Sequence, residues 1–254
     1  MMDIRIYKPA DQGKGEFDGG KIKLQKPIGF PGEGSVINRL GPLFYFSWGK
    51  TEGEGGLGLH PHQGFEILTY VLKGRGYHRD SLNTESIVNV GGAQLMKAGS
   101  GISHAESHKE PSEILQIWFE PYLNEAIHRE PTYTNYVHED FGITKKNGVK
   151  IKTIIGENSP IELVTDAKMY DVTVSSGSSY QHSLSSNRTL AGLVIQGDGS
   201  VTSEETFQFK HKDFVNVHSS EDGNVSFKSE DEEVRIILIE IPSKVDYPLY
   251  KKRH

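Results

Sequence analysis

The sequence contains no cysteine. Disulfides, thiolate metal sites and cysteine nucleophiles are thereby excluded, so any bound metal has to be held by imidazole and carboxylate. Long apolar runs are missing as well. No segment approaches the roughly 20 residues that a membrane-spanning helix needs, and the opening MMDIRIYKPADQ lacks the uninterrupted apolar stretch of a secretion signal. The expectation is a cytoplasmic protein without a membrane partner. Positive charge is not in excess: 28 Lys and Arg stand against 34 Asp and Glu, a net charge of -6. Such a balance offers no electrostatic footprint for nucleic acid, and no direct nucleic-acid partner is expected. The most basic stretch, Lys251-Lys252-Arg253-His254, reads as a solvated tail.

Helical periodicity is scarce too, with one short helix expected near Leu123–Arg129. Short runs rich in Val, Ile, Tyr and Phe recur instead, and each reads as a strand. The candidates are Leu43–Trp48, Glu66–Leu72, Ser86–Val90, Ile114–Phe119, Met169–Val174, Leu190–Ile195, Phe214–His218 and Val234–Ile241. Breakers such as Lys73-Gly74-Arg75-Gly76 and Gly197-Asp198-Gly199 separate them. Strands at this spacing with glycine turns predict an all-β sandwich or barrel. The stretch from about Pro121 to Val149 interrupts the rhythm and reads as a connection between two β modules. A division into residues 1–130 and 131–254 is expected.

Histidines carry the chemistry. In His60-Pro61-His62 an extended backbone points both imidazoles to one side, and Pro61 keeps His60 out of helical geometry. His104-Ala105-Glu106 repeats the alternation with an imidazole and a carboxylate. Taken singly, either string also suits a surface or core pair. Joined inside one barrel, three neutral nitrogens and a carboxylate suit iron, nickel, copper, manganese or zinc.

The order of these pieces resembles a known family. The glycine-rich Gly53–Gly58, the HxHxxxE string His60–Glu66 and Gly74 resemble the first cupin motif, and Gly92 through His104 resembles the second. HPHQGFEILTYVLKG, HRDSLN, MKAGSGISHAE and LQIWFEP are closer still to pirins, over roughly Leu59 to Pro121. The resemblance implies a bicupin, with two β-barrel (jelly-roll) domains packed face to face and one mononuclear metal in the N-terminal barrel. Carried over by position, the ligands would be His60, His62, His104 and Glu106. Glu66 occupies the general cupin carboxylate position but in pirins would sit beside the ligands. Ala98 stands where many cupins have proline, a change that pirins often share. The C-terminal half fits by length and strand rhythm alone; it has His182, His211 and His218 but no HxH, and no second metal is expected there.

The resemblance to bacterial pirin-like quercetin 2,3-dioxygenases implies one divalent transition metal. Iron(II) is expected first, with nickel, copper, manganese, cobalt or zinc as alternatives. The implied activity opens a flavonol such as quercetin with dioxygen and loss of carbon monoxide, with Glu106 as the catalytic base. The alternative is a redox-sensing regulatory protein that binds a transcription factor or metabolic enzyme. A monomer is expected. Other residues read more plainly. Phe44, Phe46 and Trp118 are expected in the core, and Met96 either lines the pocket or fills the barrel. His78 is expected in a structural hydrogen bond, and His108 beyond the barrel edge.

Overall fold

A computed structural model describes residues 1–252. All eight sequence-derived strands are present, several of them one to three residues longer than expected, as in Leu43–Thr51, Glu66–Lys73 and Arg188–Gln196. Their β-branched and aromatic side chains suit a pleated surface whose faces are both covered. The short helix is a single turn, Leu123–Ala126. The stretch expected to be a bare connection carries two further strands, Thr132–Tyr136 and Ile143–Lys146, both largely exposed. Too few of their side chains are buried for an apolar alternation to mark them.

Packing divides the chain into two units. One comprises Gln12–Asp140 with the segment from Asp246; the other comprises Met1–Asp11 and Phe141–Val245. This differs at both ends from a division at residue 130. Strand Met2–Tyr7 pairs antiparallel with Phe214–Ser219, which assigns it to the second unit. The last described residues pack on the first unit. The Lys252 ammonium donates to the carbonyls of Gly29 and Asn38, at 2.9 and 2.5 Å, and to that of Phe44. The solvated tail expected there is therefore docked at Lys252, while Arg253 and His254 lie outside the described residues.

Each unit is a pair of antiparallel sheets of seven and four strands. In the first unit the seven-stranded sheet runs Thr132–Tyr136, Ala93–Lys97, Glu66–Lys73, Ser112–Phe119, Leu43–Thr51, Ile22–Ile28 and Gly13–Phe17. Its four-stranded partner runs Gly55–His62, Ile102–His108, Arg75–Asp80 and Glu85–Asn89. The second unit repeats this seven-plus-four plan, and its interior is filled. Val172, Leu190, Val194, Phe209, Phe227 and Leu238 belong to one buried cluster there. In the first unit Ile67, Met96, Ala98 and Ile102 form a smaller buried cluster, while Leu43, Phe44, Phe46, Leu68, Leu115 and Phe119 are buried elsewhere in it. Met96 thus fills the barrel.

Candidate metal centre and cavity

The four-stranded sheet of the first unit brings the two histidine strings together. Strand Ile102–His108 pairs antiparallel with Gly55–His62, setting His104 opposite His60 and Ile102 opposite His62. Between His104 and Glu106 the partner strand advances from His60 to Leu57, a bulge with one extra residue. The loop that leaves Gly55–His62 and the loop that enters Ile102–His108 are tied by the Gly64 amide, which donates to the Gly99 carbonyl at 2.9 Å. Both glycines have positive φ, +80° and +50°. A Cβ on Gly99 would lie 2.4 Å from the Arg129 carbonyl oxygen, so glycine is required there.

One ligand nitrogen from each of His60, His62 and His104 lies within 4.8 Å of the others. His60 Nδ1 donates to the Gly58 carbonyl at 2.8 Å, leaving Nε2 as the acceptor nitrogen. His62 Nε2 and both nitrogens of His104 are buried without a protein partner. Buried polar nitrogens are seldom left unpaired, and one nitrogen from each of the three rings lies close enough to the others to share a cation. Burial pushes His62 down to about 3, with the neighbouring His104 and His60 acting in the same direction. Burial followed by His60 and His78 does the same to His104, also to about 3. His62 and His104 are therefore neutral at ordinary pH, the protonation state that ligation requires.

Glu106 shares the face of His104 but lies outside this close group. Its Oε1 accepts from Thr69 Oγ1 at 3.4 Å and Gln94 Nε2 at 3.5 Å. Gln94 in turn accepts from the Tyr133 hydroxyl at 2.9 Å, and Tyr133 bonds Ser86. Burial pushes Tyr133 up to about 12, against the Ser86 bond and with the charges of Asp80 and Glu106. The Tyr133 ring stacks on His78 at 4.1 Å. His78 Nε2 lies 3.0 Å from Asp80, the structural hydrogen bond expected of it. Thr69, Gln94 and Tyr133 were illegible in sequence, since a polar residue within an apolar strand carries no periodic signal of its own.

Glu66 is 2% exposed and directed elsewhere. On strand Glu66–Lys73 it has the opposite parity to Thr69, so the sheet itself separates its carboxylate from the histidines. The Lys97 ammonium is 4.0 Å away. The expectation that it sits beside the ligands is corrected by this parity.

A cavity of about 340 Å³ opens onto His60, His62 and Glu106. Tyr45, Ser47, Gln116 and Trp118 line it, with Phe30 and the ion pair of Lys26 and Glu33, 2.5 Å apart. Phe44 and Phe46 have the other parity and are buried in the core, as expected. Trp118 differs from expectation. It lines the cavity and meets His62 edge-on, the ring centroids 4.9 Å apart at 85°. Tyr45 packs against Trp118 at 5.2 Å, and Phe30 against both. His108 was expected beyond the barrel edge, but the strand stays regular to its end and His108 lines the same cavity.

A family model for pirin matches residues 41–119, the span that contains the trio, Glu106 and Trp118. This chain carries a pirin-family domain. Pirin-like protein 2 of Arabidopsis thaliana is 29% identical over 235 residues, 85% of this chain and 72% of that protein. Among solved structures, the bacterial pirin YhhW from Escherichia coli, in complex with nickel(II), superposes with a TM-score of 0.77 at 21% identity. That match covers 96% of this chain and 100% of YhhW. Quercetin 2,3-dioxygenase from Acinetobacter baumannii gives 0.79 at 18% identity, over 98% of this chain and 89% of that one. At these identities the two structures establish the shared bicupin fold. Among the described residues, no helix is long and apolar enough to cross a membrane.

Proposed function

We propose that this protein is a metal-dependent dioxygenase that opens flavonols of the quercetin type. The observation that carries this reading is the cavity of the first barrel, walled by aromatic rings and lined by His60 and His62, whose ligand nitrogens lie within 4.8 Å of one from His104. His60, His62 and His104 would hold one divalent transition metal, iron(II) foremost, with Glu106 as the fourth ligand. The metal would supply Lewis acidity at a coordinated hydroxyl and a redox partner for dioxygen.

The remaining roles belong to the chain itself. Thr69 and Gln94 engage Oε1 of Glu106, which leaves Oε2 to take the proton of the flavonol 3-hydroxyl. Trp118, Tyr45 and Phe30 provide flat apolar walls for an aromatic ring system. The enclosure keeps bulk water from the flavonolate once its proton has moved. The Tyr133–Gln94 hydrogen bond fixes the amide that orients Glu106.

The nickel(II) complex of YhhW and the quercetin 2,3-dioxygenase of A. baumannii support this reading by analogy of fold. A redox-sensing regulatory protein would need the metal but not the cavity, which favours the enzyme. The test is a Glu106→Gln variant whose metal content is measured alongside turnover. Metal retained with quercetin oxidation lost supports Glu106 as base; full activity with metal retained refutes that role.

A further inference from the structure

Strand Ile102–His108 sends three side chains of one parity into the barrel: His104, Glu106 and, at its far end, His108. Four residues of extended chain separate His104 from His108, a distance of about 13 Å. His108 is 4% exposed and lines the cavity. Its Nδ1 lies 3.1 Å from the Arg75 carbonyl oxygen, which can only accept, so Nδ1 carries the proton. In the neutral ring Nε2 is then an acceptor, and no hydrogen bond engages it among the described residues.

On the cavity side the surroundings at this end are apolar, while on its other side His108 borders a surface groove with Asp18, Lys21 and Glu54. Ile22, Leu24 and Ile114 line the cavity there, and Gly49 lies opposite both Ile114 and Leu24 in its two strand pairings. An acceptor of fixed tautomer thus stands among aliphatic side chains, at the other end of the cavity from the histidine trio.

We infer that His108 determines ligand specificity by accepting a hydrogen bond from a hydroxyl at the far end of a flat polyphenol seated at the trio. The inference rests on the flavonol reading and deepens it. The preferred ligand is a flavonol that also carries a hydroxyl remote from the one at the metal. An aromatic with a bare distal ring would leave Nε2 buried beneath it and unpaired, an unfavourable outcome.

The test uses nickel(II)-loaded protein without dioxygen, so that binding is read in the absence of turnover. Calorimetric titrations compare quercetin with 3-hydroxyflavone, which keeps the 3-hydroxyl and lacks every other one. The wild-type protein should bind quercetin more tightly. In His108→Leu the preference for quercetin should shrink about five- to tenfold, the worth of one hydrogen bond. His108→Gln, which offers an amide near the Nε2 position, should recover part of it. Nickel content should be the same in all three proteins.

A merely structural role would weaken both ligands alike and leave their ratio unchanged, and that result overturns the inference. So does a wild-type protein that binds the two equally, whatever the variants do. If the nickel-loaded wild type binds neither flavonol, the flavonol reading and the role of His108 fall together. If it binds quercetin and His108→Leu keeps the same preference, only the role of His108 is lost.

Discussion

His60 and His104 stand directly opposite each other on neighbouring antiparallel strands, their ring centroids 4.4 Å apart. His62 completes the group from the next inward-facing position of the first strand, 4.9 Å from His104. One ligand nitrogen from each ring lies within 4.8 Å of the others, and Glu66, the general cupin carboxylate position, has the parity opposite to Thr69 on its strand. Replacing His60 or His104 by alanine should lower bound metal from about one equivalent to a small fraction, because three imidazoles anchor the site. Glu66→Gln should keep its metal. Elemental analysis after reconstitution decides; loss of metal in Glu66→Gln and retention in His104→Ala would reverse the assignment.

The protonation of the trio sets how the metal-free protein responds to acid. His62 and His104 are held near 3 in the fold, against an ordinary value of 6.5. Below 6.5 the unfolded chain takes up protons that the folded chain refuses, so stability falls as pH falls. Stability from these groups is complete above about 6.5 and is lost progressively toward about 3. Urea unfolding of metal-free protein should therefore give a lower midpoint at about pH 5 than at about pH 7. The difference should shrink in a His62→Gln/His104→Gln double variant. An equal difference in the double variant would place the acid sensitivity elsewhere.

Gly99 is predicted to be intolerant of substitution although it contacts no ligand. Its positive φ and the Arg129 carbonyl 2.4 Å from a would-be Cβ leave a side chain no room. Gly99→Ala should cost about 2 kcal/mol, the range of backbone strain at such positions. It should also reduce metal occupancy, since the Gly99 carbonyl holds the loop that leads from His62. Unchanged thermal stability would show that the turn relaxes freely.

How much of this was legible in the sequence depends on the signal each residue carries. The eight long strands were visible because Val, Ile, Tyr and Phe crowd them, and His60, His62, His104 and Glu106 because alternation puts each pair on one face. Thr132–Tyr136 was missed because three of its five residues, Thr132, Thr134 and Asn135, are polar and exposed, and it forms only as an edge beside Ala93–Lys97. The pairing of Met2–Tyr7 with Phe214–Ser219 joins residues more than 200 positions apart, and no local pattern reports that. Trp118 read as core because parity alone cannot tell a filled barrel from a hollow one. His108 was misplaced because a sequence does not show where a regular strand ends.

The second barrel should be separable from the metal chemistry. Glu240 accepts from His182 at 3.0 Å, Lys168 at 3.1 Å and Arg188 at 3.0 Å, with its side chain almost wholly buried. Burial pushes Glu240 up, but the His182, Lys168 and Arg188 donors outweigh it and bring it down to about 2. Glu240→Ala should destabilise the protein by about 3 kcal/mol, because it strands buried donors and charge. Metal content should not change. The depressed carboxylate contributes stability that is complete above about 4.5 and lost as pH falls toward about 2, and the variant should lack this acid limb. A variant as stable as wild type would mean that the cluster reorganises without Glu240.

The most direct test of the whole account is oxygen consumption by iron-reconstituted protein given quercetin, run beside a His62→Ala control. The account predicts oxygen uptake coupled to quercetin loss in the wild type and none in the control. Iron bound in the wild type with no oxygen uptake would contradict it.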